Sequence, residues 1–277
     1  MAKLFDGRNI LVPRASNQAG ELSNIIRAKG GNPIEIPVIE ITPTKNIGDL
    51  DKGIKSLGTY DWVVFSSVNG VRGVFERIFA IGLDAGIFRS TKIGAIGPAT
   101  AKALTNYGVA VDLEPLKYVS ESMVAEFANI GVKDNFILHF SAETTRNVLY
   151  YGLTRAGALV TQVSVYSTST KKESRPMLAE VMTSDRIDII TFTSSSAVKG
   201  FLELLDGRDT LVNVIIACIG PITANTAIEN GLDVHVVAKV STITGLVSEV
   251  LDYIRDLLLN LKRVDCQVIF RETDPED

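Results

Sequence analysis

The segments Ile96-Gly97-Pro98-Ala99-Thr100-Ala101 and Ile219-Gly220-Pro221-Ile222-Thr223-Ala224 are the strongest local features of this 277-residue chain. Each follows an apolar run and opens a helical pattern. Proline at a first helical position has no amide hydrogen to leave unpaired. Glycine before it permits a tight turn and the close approach of a ligand, and free amides at a helix start attract anions. Thr100 and Thr223 then fall in the first turn, with hydroxyls able to reach the same spot. Helix capping alone explains either copy; the duplication permits two facing anion sites. A second pair, Ser66-Ser67-Val68-Asn69 and Thr193-Ser194-Ser195-Ser196, sets small polar groups after a strand pattern and before a helix. Open α/β sheets bind ligands there, although such residues also serve as plain caps. A third pair, Ser120-Glu121-Ser122 and Thr242-Ile243-Thr244, again precedes helices. Tyr166 lies in the extended run Val163-Ser164-Val165-Tyr166-Ser167-Thr168. Its phenol either packs or, if that run crosses between domains, faces a cleft and can donate a proton.

Other chemistries lack their residues. The only histidines, His139 and His235, sit in strand patterns, and no Cys/His ligand spacing exists, so no metal site is expected. There is no GxSxG elbow, no GxGxxG and no Walker loop. An enzyme built here works without metal or cofactor, through hydroxyls, amides and shape. The net charge of -4 argues against a nucleic-acid binder, which needs a basic face. Cys218, in an apolar run, reads as a buried thiol, and Cys266 sits in the tail; two distant cysteines suggest no disulfide and a reducing compartment. No apolar run approaches the roughly 20 residues a membrane span needs, and Met1 to Arg8 shows no signal peptide. A soluble cytoplasmic protein is expected.

The elements that must position these residues alternate along the whole chain. Strand patterns fall at Ile10–Arg14, Pro33–Thr42, Trp62–Ser66, Ile93–Ile96, Ala110–Leu113, Phe136–Phe140, Leu159–Thr168, Ile187–Thr193, Val214–Ile219 and Val234–Val237. Helical patterns between them include Ala19–Lys29, Val71–Ile81, Thr100–Tyr107, Thr145–Ala156, Arg175–Thr183, Val198–Leu205, Thr223–Glu229 and Gly245–Leu259. Such alternation, with continuous apolar strands, predicts parallel sheets covered on both faces. The chain also repeats itself: Ile10–Ala15 matches Ile137–Ala142, and Asp61–Phe75 matches Asp188–Leu202, at one shared offset. The two glycine-proline segments follow in the same order. Two copies of a five-stranded α/β unit are therefore expected. Asn32–Thr44 and Leu159–Thr170 are extended for about twice the usual strand length of roughly 5–6 residues, and the first carries Pro37 and Pro43. Each could cross to another domain, but two sequential domains meeting near Gly131–Asp134 fit the repeat equally well.

Taken in order and spacing, WVVFSSVNGV, IGPATAKAL, the Arg146–Gly157 helix running into VSVYSTST, IITFTSSSAV and IGPITANTAIENG with Thr244-Gly245-Leu246 resemble the uroporphyrinogen-III synthase family. The resemblance runs from about Ile10 to Leu259. It implies two flavodoxin-like α/β domains, each a five-stranded parallel sheet with flanking helices, joined by a two-stranded linker at Pro37–Thr42 and Ser164–Thr170. One domain is then 1–38 plus 170–262, the other 42–164, with 263–277 an acidic tail. The implied substrate is hydroxymethylbilane, which loses its hydroxyl as water and closes through a spiro intermediate with ring D inverted, without a cofactor. Tyr166 matches the family's cleft tyrosine and is expected to help the hydroxyl leave. Thr223, Ser194 and Ser195 match cleft positions. Amides near Thr100, Ser67 and Asn69 hold carboxylates, with Ser122 and Thr244 as further contacts and Arg14 and Arg146 as carboxylate partners. The implied pathway is tetrapyrrole biosynthesis, toward heme, siroheme or cobalamin. The chain is expected to be a monomer that takes its substrate by transient handover from hydroxymethylbilane synthase. A non-catalytic, hinge-type binder of a small anion is the competing reading, and a sugar-nucleotide transferase a weaker one.

Overall fold

A computed structural model describes residues 5–184, 187–205, 207 and 211–271, with side chains described up to 259 except at 184. In chain order the elements are β1 (Asn9–Val12), α1 (Ser16–Ala28), β2 (Asn32–Glu35), β3 (Ile39–Pro43), α2 (Ile47–Lys55), β4 (Trp62–Phe65), α3 (Val68–Ala80), β5 (Lys92–Ala95), α4 (Pro98–Asn106), α5 (Ser120–Ile130), β6 (Phe136–Ala142), α6 (Val148–Arg155), β7 (Leu159–Thr170), α7 (Arg175–Ser184), β8 (Ile189–Phe192), α8 (Ser195–Leu204), β9 (Ile215–Cys218), α9 (Pro221–Glu229), β10 (Val236–Val237) and α10 (Ile243–Arg271). They form two compact units, residues 1–40 with 169–277, and 41–168.

The first unit holds a sheet in the order β10-β9-β8-β1-β2, parallel throughout. Its central strands are buried along almost their whole length, as doubly covered parallel strands must be. Ala19, Leu22 and Ile26 of α1 and Leu246, Val250 and Ile254 of α10 recur at helical spacing, and they close one face over Ile10, Val12 and Ile189. On α8, Phe201 meets Phe192 of β8 edge-on at 5.4 Å. The second unit holds the order β3-β7-β6-β4-β5. One face packs Val63, Phe65, Leu138 and Phe140 against Leu50, Ile54, Val71, Phe75 and Leu104 of α2, α3 and α4. The opposite face packs Trp62, Val64 and Ile137 against Met123, Phe127, Leu149 and Leu153 of α5 and α6.

The repeat is real in space but interleaved. β1 pairs with β8 and β4 with β6, so each sheet joins the opening strands of one repeat to the later strands of the other. Two sequential domains are therefore excluded. Matching aspartates help fix this pairing: Asp61 accepts from the Phe136 amide at 2.8 Å, and Asp188 from the Asn9 amide at 2.9 Å. Each carboxylate anchors the start of the neighbouring strand.

The segments linking the units form a ribbon in which 38 pairs with 171, 40 with 169, 42 with 167 and 44 with 165. One strand counts up as the other counts down, so β3 runs antiparallel to β7 and is the one reversed edge of the second sheet. Glycines at matching repeat positions let helices approach the ribbon closely. A Cβ on Gly73 of α3 would lie 2.6 Å from Val165 Cγ1, and one on Gly200 of α8 would lie 2.7 Å from the Val38 carbonyl oxygen. A methyl tip can rotate away; a backbone carbonyl in a ribbon cannot. Gly200→Ala is expected to cost about 1–3 kcal/mol of unfolding free energy, and Gly73→Ala clearly less, measured by urea unfolding. Equal losses at the two positions would contradict this reading.

Several sequence expectations need correction. Pro33–Thr42 is two strands, because Pro37 cannot donate to a ladder and the chain leaves one sheet there. Ala110–Leu113 is only an isolated bridge to Gly94: Asp112 turns its carboxylate back onto the Ile93 amide instead of extending. The helix expected over Thr145–Ala156 begins at Val148, leaving Arg146 in the preceding loop. The helix expected over Gly245–Leu259 runs from Ile243 to Arg271, and so through the first part of the expected tail; residues 272–277 lie outside the described residues, as does the side chain of Cys266. Cys218 is fully buried, and burial pushes its thiol up to about 12.

Candidate active site

In a parallel sheet every strand's carboxyl end meets the same edge, and loops to the following helices gather there. In the second unit Ser67 follows β4 and caps α3, its Oγ accepting from the Gly70 amide at 3.1 Å. The same Oγ lies 3.0 Å from the phenolic oxygen of Tyr166 on β7. Tyr166 is half-buried against the apolar face that carries Phe65 and Phe140. A bulge in the β6–β7 ladder, where Ala142 pairs with Tyr166, re-aims the strand at this residue. In the first unit Ser194 repeats the cap on α8, accepting from the Ala197 amide at 3.1 Å. Ser195 is differently placed: its hydroxyl lies 2.7 Å from that of Thr226 and ties α8 to α9.

The glycine-proline turns open α4 and α9, with proline in the first helical turn of each. Gly97 needs its residue type for a φ of 87°, in the left-handed region. Gly220 is extended, and needs its type because a Cβ would strike the Ser241 hydroxyl. The space beside Gly97 is likewise filled, by the Tyr118 ring. The close approach at both glycines is thus made by the chain's own side chains. The Thr100 amide donates to the Gly97 carbonyl, and the Gly70 amide is taken by Ser67. Those two amides are therefore engaged within the chain. The threonine hydroxyls are another matter. Thr100 and Thr223 are 3% and 5% exposed, and neither hydroxyl has a hydrogen-bond partner among the described residues. Each hydroxyl still reaches solvent, where a ligand can meet it.

Arg14 follows β1 and stands before α1. Its Nε and Nη1 are buried without a partner among the described residues, and Nη2 lies 3.5 Å from Gln18 Oε1. Burial lowers its pKa, with Glu21 opposing. A guanidinium held in this way favours an anion. Arg146 does not share that state: Glu121 at the start of α5 grips it at 2.7 and 3.5 Å, on half-exposed side chains. Its part is to hold α5 to the loop before α6. Asn69 lies in the first turn of α3, Ser122 in that of α5, and Thr244 at the start of α10, 3.2 Å from the Thr242 hydroxyl. Among the described residues no cluster of His, Cys, Asp or Glu could hold a metal, and no helix is long and apolar enough to cross a membrane.

Sequence reasoning took Ser66 only as part of its polar cluster and His139 as a plain strand residue. His139 of β6 is 2% exposed, and its Nε2 lies 3.2 Å from Ser66 Oγ. Burial lowers its pKa to about 4, against an opposing pull from the neighbouring Gln162 side chain. The available signal was one histidine in an otherwise apolar strand.

Fold and site together define a class: a paired α/β protein whose donors stand at the carboxyl ends of parallel strands. The family model described as HEM4, uroporphyrinogen-III synthase HemD, matches residues 20–248. The chain is 29% identical over 252 residues to the porphyrin biosynthesis protein HemD of Ruminiclostridium josui, covering 91% of this chain and only 50% of that longer relative. It is 30% identical over 247 residues to a uroporphyrinogen-III synthase of Synechococcus elongatus, covering 87% and 93%. Among solved structures it is similar in fold to a mutant uroporphyrinogen III synthase of Thermus thermophilus (TM-score 0.64, 17% identity, 90% and 100% covered). It is also similar to the uroporphyrinogen-III synthetase of Helicobacter pylori (TM-score 0.59, 17% identity, 89% and 99% covered). The chain belongs to the uroporphyrinogen-III synthase family.

Proposed function

We propose that this chain converts hydroxymethylbilane to uroporphyrinogen III, releasing water and inverting ring D, with no cofactor. The observation that carries the reading is the Ser67–Tyr166 pair, joined to a family match over most of the chain. Ser67 already accepts the Gly70 amide, so it can give its own proton to the Tyr166 oxygen and leave the phenolic proton pointing outward. Successive hydrogen bonds polarise one another, which makes that phenol a better donor. Tyr166 protonates the departing hydroxyl as the carbon–oxygen bond breaks and water forms. The azafulvene left behind is attacked by the substituted carbon of ring D. The spiro intermediate fragments and recloses, and the proton lost from ring D on reclosure restores the phenol. The bilane also closes on its own without inversion. The enzyme's contribution is therefore orientation and selective stabilisation of the spiro transition state.

Carboxylates surround the bilane, and the donors suit them. Each unit carries such donors at its own strand ends: Arg14, Ser194 and Thr223 in the first, Thr100 and the helix starts at Asn69 and Ser122 in the second. Replacing Arg14 by methionine removes an unpaired buried charge. Arg14→Met is expected to hold or raise thermal stability, since buried charges without partners cost stability, while raising KM about tenfold or more. A rise in KM accompanied by a large loss of stability would return Arg14 to a purely structural role. The proposal extends to a monomeric cytoplasmic chain that receives the labile bilane directly from hydroxymethylbilane synthase.

The test supplies hydroxymethylbilane generated in situ by its synthase, then oxidises the products and separates the porphyrin isomers. Predominance of the type III isomer supports the proposal. Type I alone, with the protein folded, overturns it and leaves reversible binding of a small anion as the reading to pursue.

A further inference from the structure

The buried side of the second sheet holds two polar atoms that lack partners. His139 Nδ1 and Gln162 Oε1 are both buried and make no hydrogen bond of good geometry among the described residues. They occupy paired positions on β6 and β7. Each is the natural partner of the other, because a neutral imidazole carrying its proton on Nδ1 donates and an amide oxygen accepts. The Gln162 amide is turned for this: its nitrogen lies 3.5 Å from Asn147 Oδ1, which leaves its oxygen toward the ring. With the proton on Nδ1, Nε2 is an acceptor, and the group that meets it is the Ser66 hydroxyl at 3.2 Å.

We propose that Gln162 and His139 form a buried relay that fixes the Ser66 hydroxyl as a donor inward, toward Nε2, and so as an acceptor outward for an N–H group of the ligand. Ser66 stands at the carboxyl end of β4, half-buried and one residue before Ser67. No other hydrogen bond reaches its Oγ among the described residues. Both lone pairs are therefore presented to whatever binds. Hydroxyls and guanidinium groups elsewhere on the strand ends are donors suited to carboxylates; Ser66 supplies the complementary group. On the proposed function, on which this ligand assignment rests, the N–H belongs to a pyrrole ring. His139 and Gln162 are positioning residues, acting through Ser66. The ring remains neutral at assay pH, since burial depresses its protonation.

The chain has two histidines, which makes the tautomer directly readable. His235 accepts the Ile216 amide on Nδ1 at 3.2 Å, so its proton sits on Nε2. Long-range proton–nitrogen correlation on the labelled full chain at neutral pH is expected to show opposite tautomers, with His235→Gln assigning the signals. A His139 proton on Nε2 overturns the relay. Gln162→Met removes the acceptor and is expected to shift the His139 proton to Nε2, with the fold checked by its melting temperature. An unmoved tautomer also overturns the relay. Under in situ bilane supply, Ser66→Ala and Gln162→Met are each expected to raise KM about three- to tenfold with kcat little changed, the effect of one hydrogen bond. Unchanged KM in both, with the tautomers as stated, overturns the ligand role of Ser66. A wild-type chain with no type III product overturns the proposed function, and the imidazole spectrum still decides the relay.

Discussion

Tyr166→Phe is expected to lower kcat about 100-fold while KM stays within about threefold, because positioned general acids contribute on the order of 10²–10⁴. Phenylalanine keeps the ring that packs beside Phe65 and Phe140 and removes only the hydroxyl 3.0 Å from Ser67. The fold and the carboxylate donors are untouched, so binding should survive. The isomer ratio is a second readout. Once the hydroxyl leaves slowly, spontaneous closure competes, and the type I share should rise. Turnover equal to the parent chain would remove Tyr166 from the mechanism and leave its hydroxyl as a partner for the Ser67 cap alone.

Unfolding free energy is expected to fall by about 3 kcal/mol between pH 6.5 and pH 4 on account of His139 alone. The sign follows from where the proton goes. In the folded chain burial holds the imidazole pKa down to about 4, whereas in the unfolded chain it is the ordinary value near 6.5. The unfolded state therefore takes up a proton first. The stability is complete above about pH 6.5 and is lost as the pH drops toward 4, each unit of difference contributing roughly 1.4 kcal/mol. Urea unfolding of the parent and of His139→Gln at pH 7, 5.5 and 4.5 isolates this part. The variant should show a shallower slope through that window, and an identical slope would mean that the ring is solvated or protonated in the folded chain.

The sequence carried the α/β alternation, the duplication and most strand positions, because fully buried parallel strands leave continuous apolar runs such as WVVF and IITF. It did not carry the interleaving. β4 and β8 are both four-residue apolar strands opened by an aspartate, and either could have paired within its own repeat; only Pro37 and the overlong segments hinted otherwise. α2 was legible in hindsight: Ile47, Leu50 and Ile54 recur at helical spacing, but Gly48 and Gly53 weaken the pattern. At the site, small hydroxyls before helices marked the strand ends correctly. Their partners were invisible. Nothing local tells that Ser67 meets Tyr166, that Glu121 occupies Arg146, or that Ser195 serves a helix contact instead of an open edge. Those depend on strand order, which a single chain of letters leaves open.

The interleaved pairing also orders events in time. Chains emerge from their amino end, and β1, already paired with β2, cannot find its second neighbour until β8 has been made, the whole second unit later. Throughout that interval β1, α1 and β2 have one open sheet edge and an uncovered apolar face. Residues 41–168, by contrast, are contiguous and contain every strand of their own sheet except the first residues of β3 and the last of β7. That body can close first, while the opening segment waits. Pairing across such separations is intrinsically slow and leaves edges exposed to wrong partners. During synthesis the capture of β1 by β8 is therefore expected to come late, and the exposed species is a nascent chain folded in the middle and unfinished at its beginning.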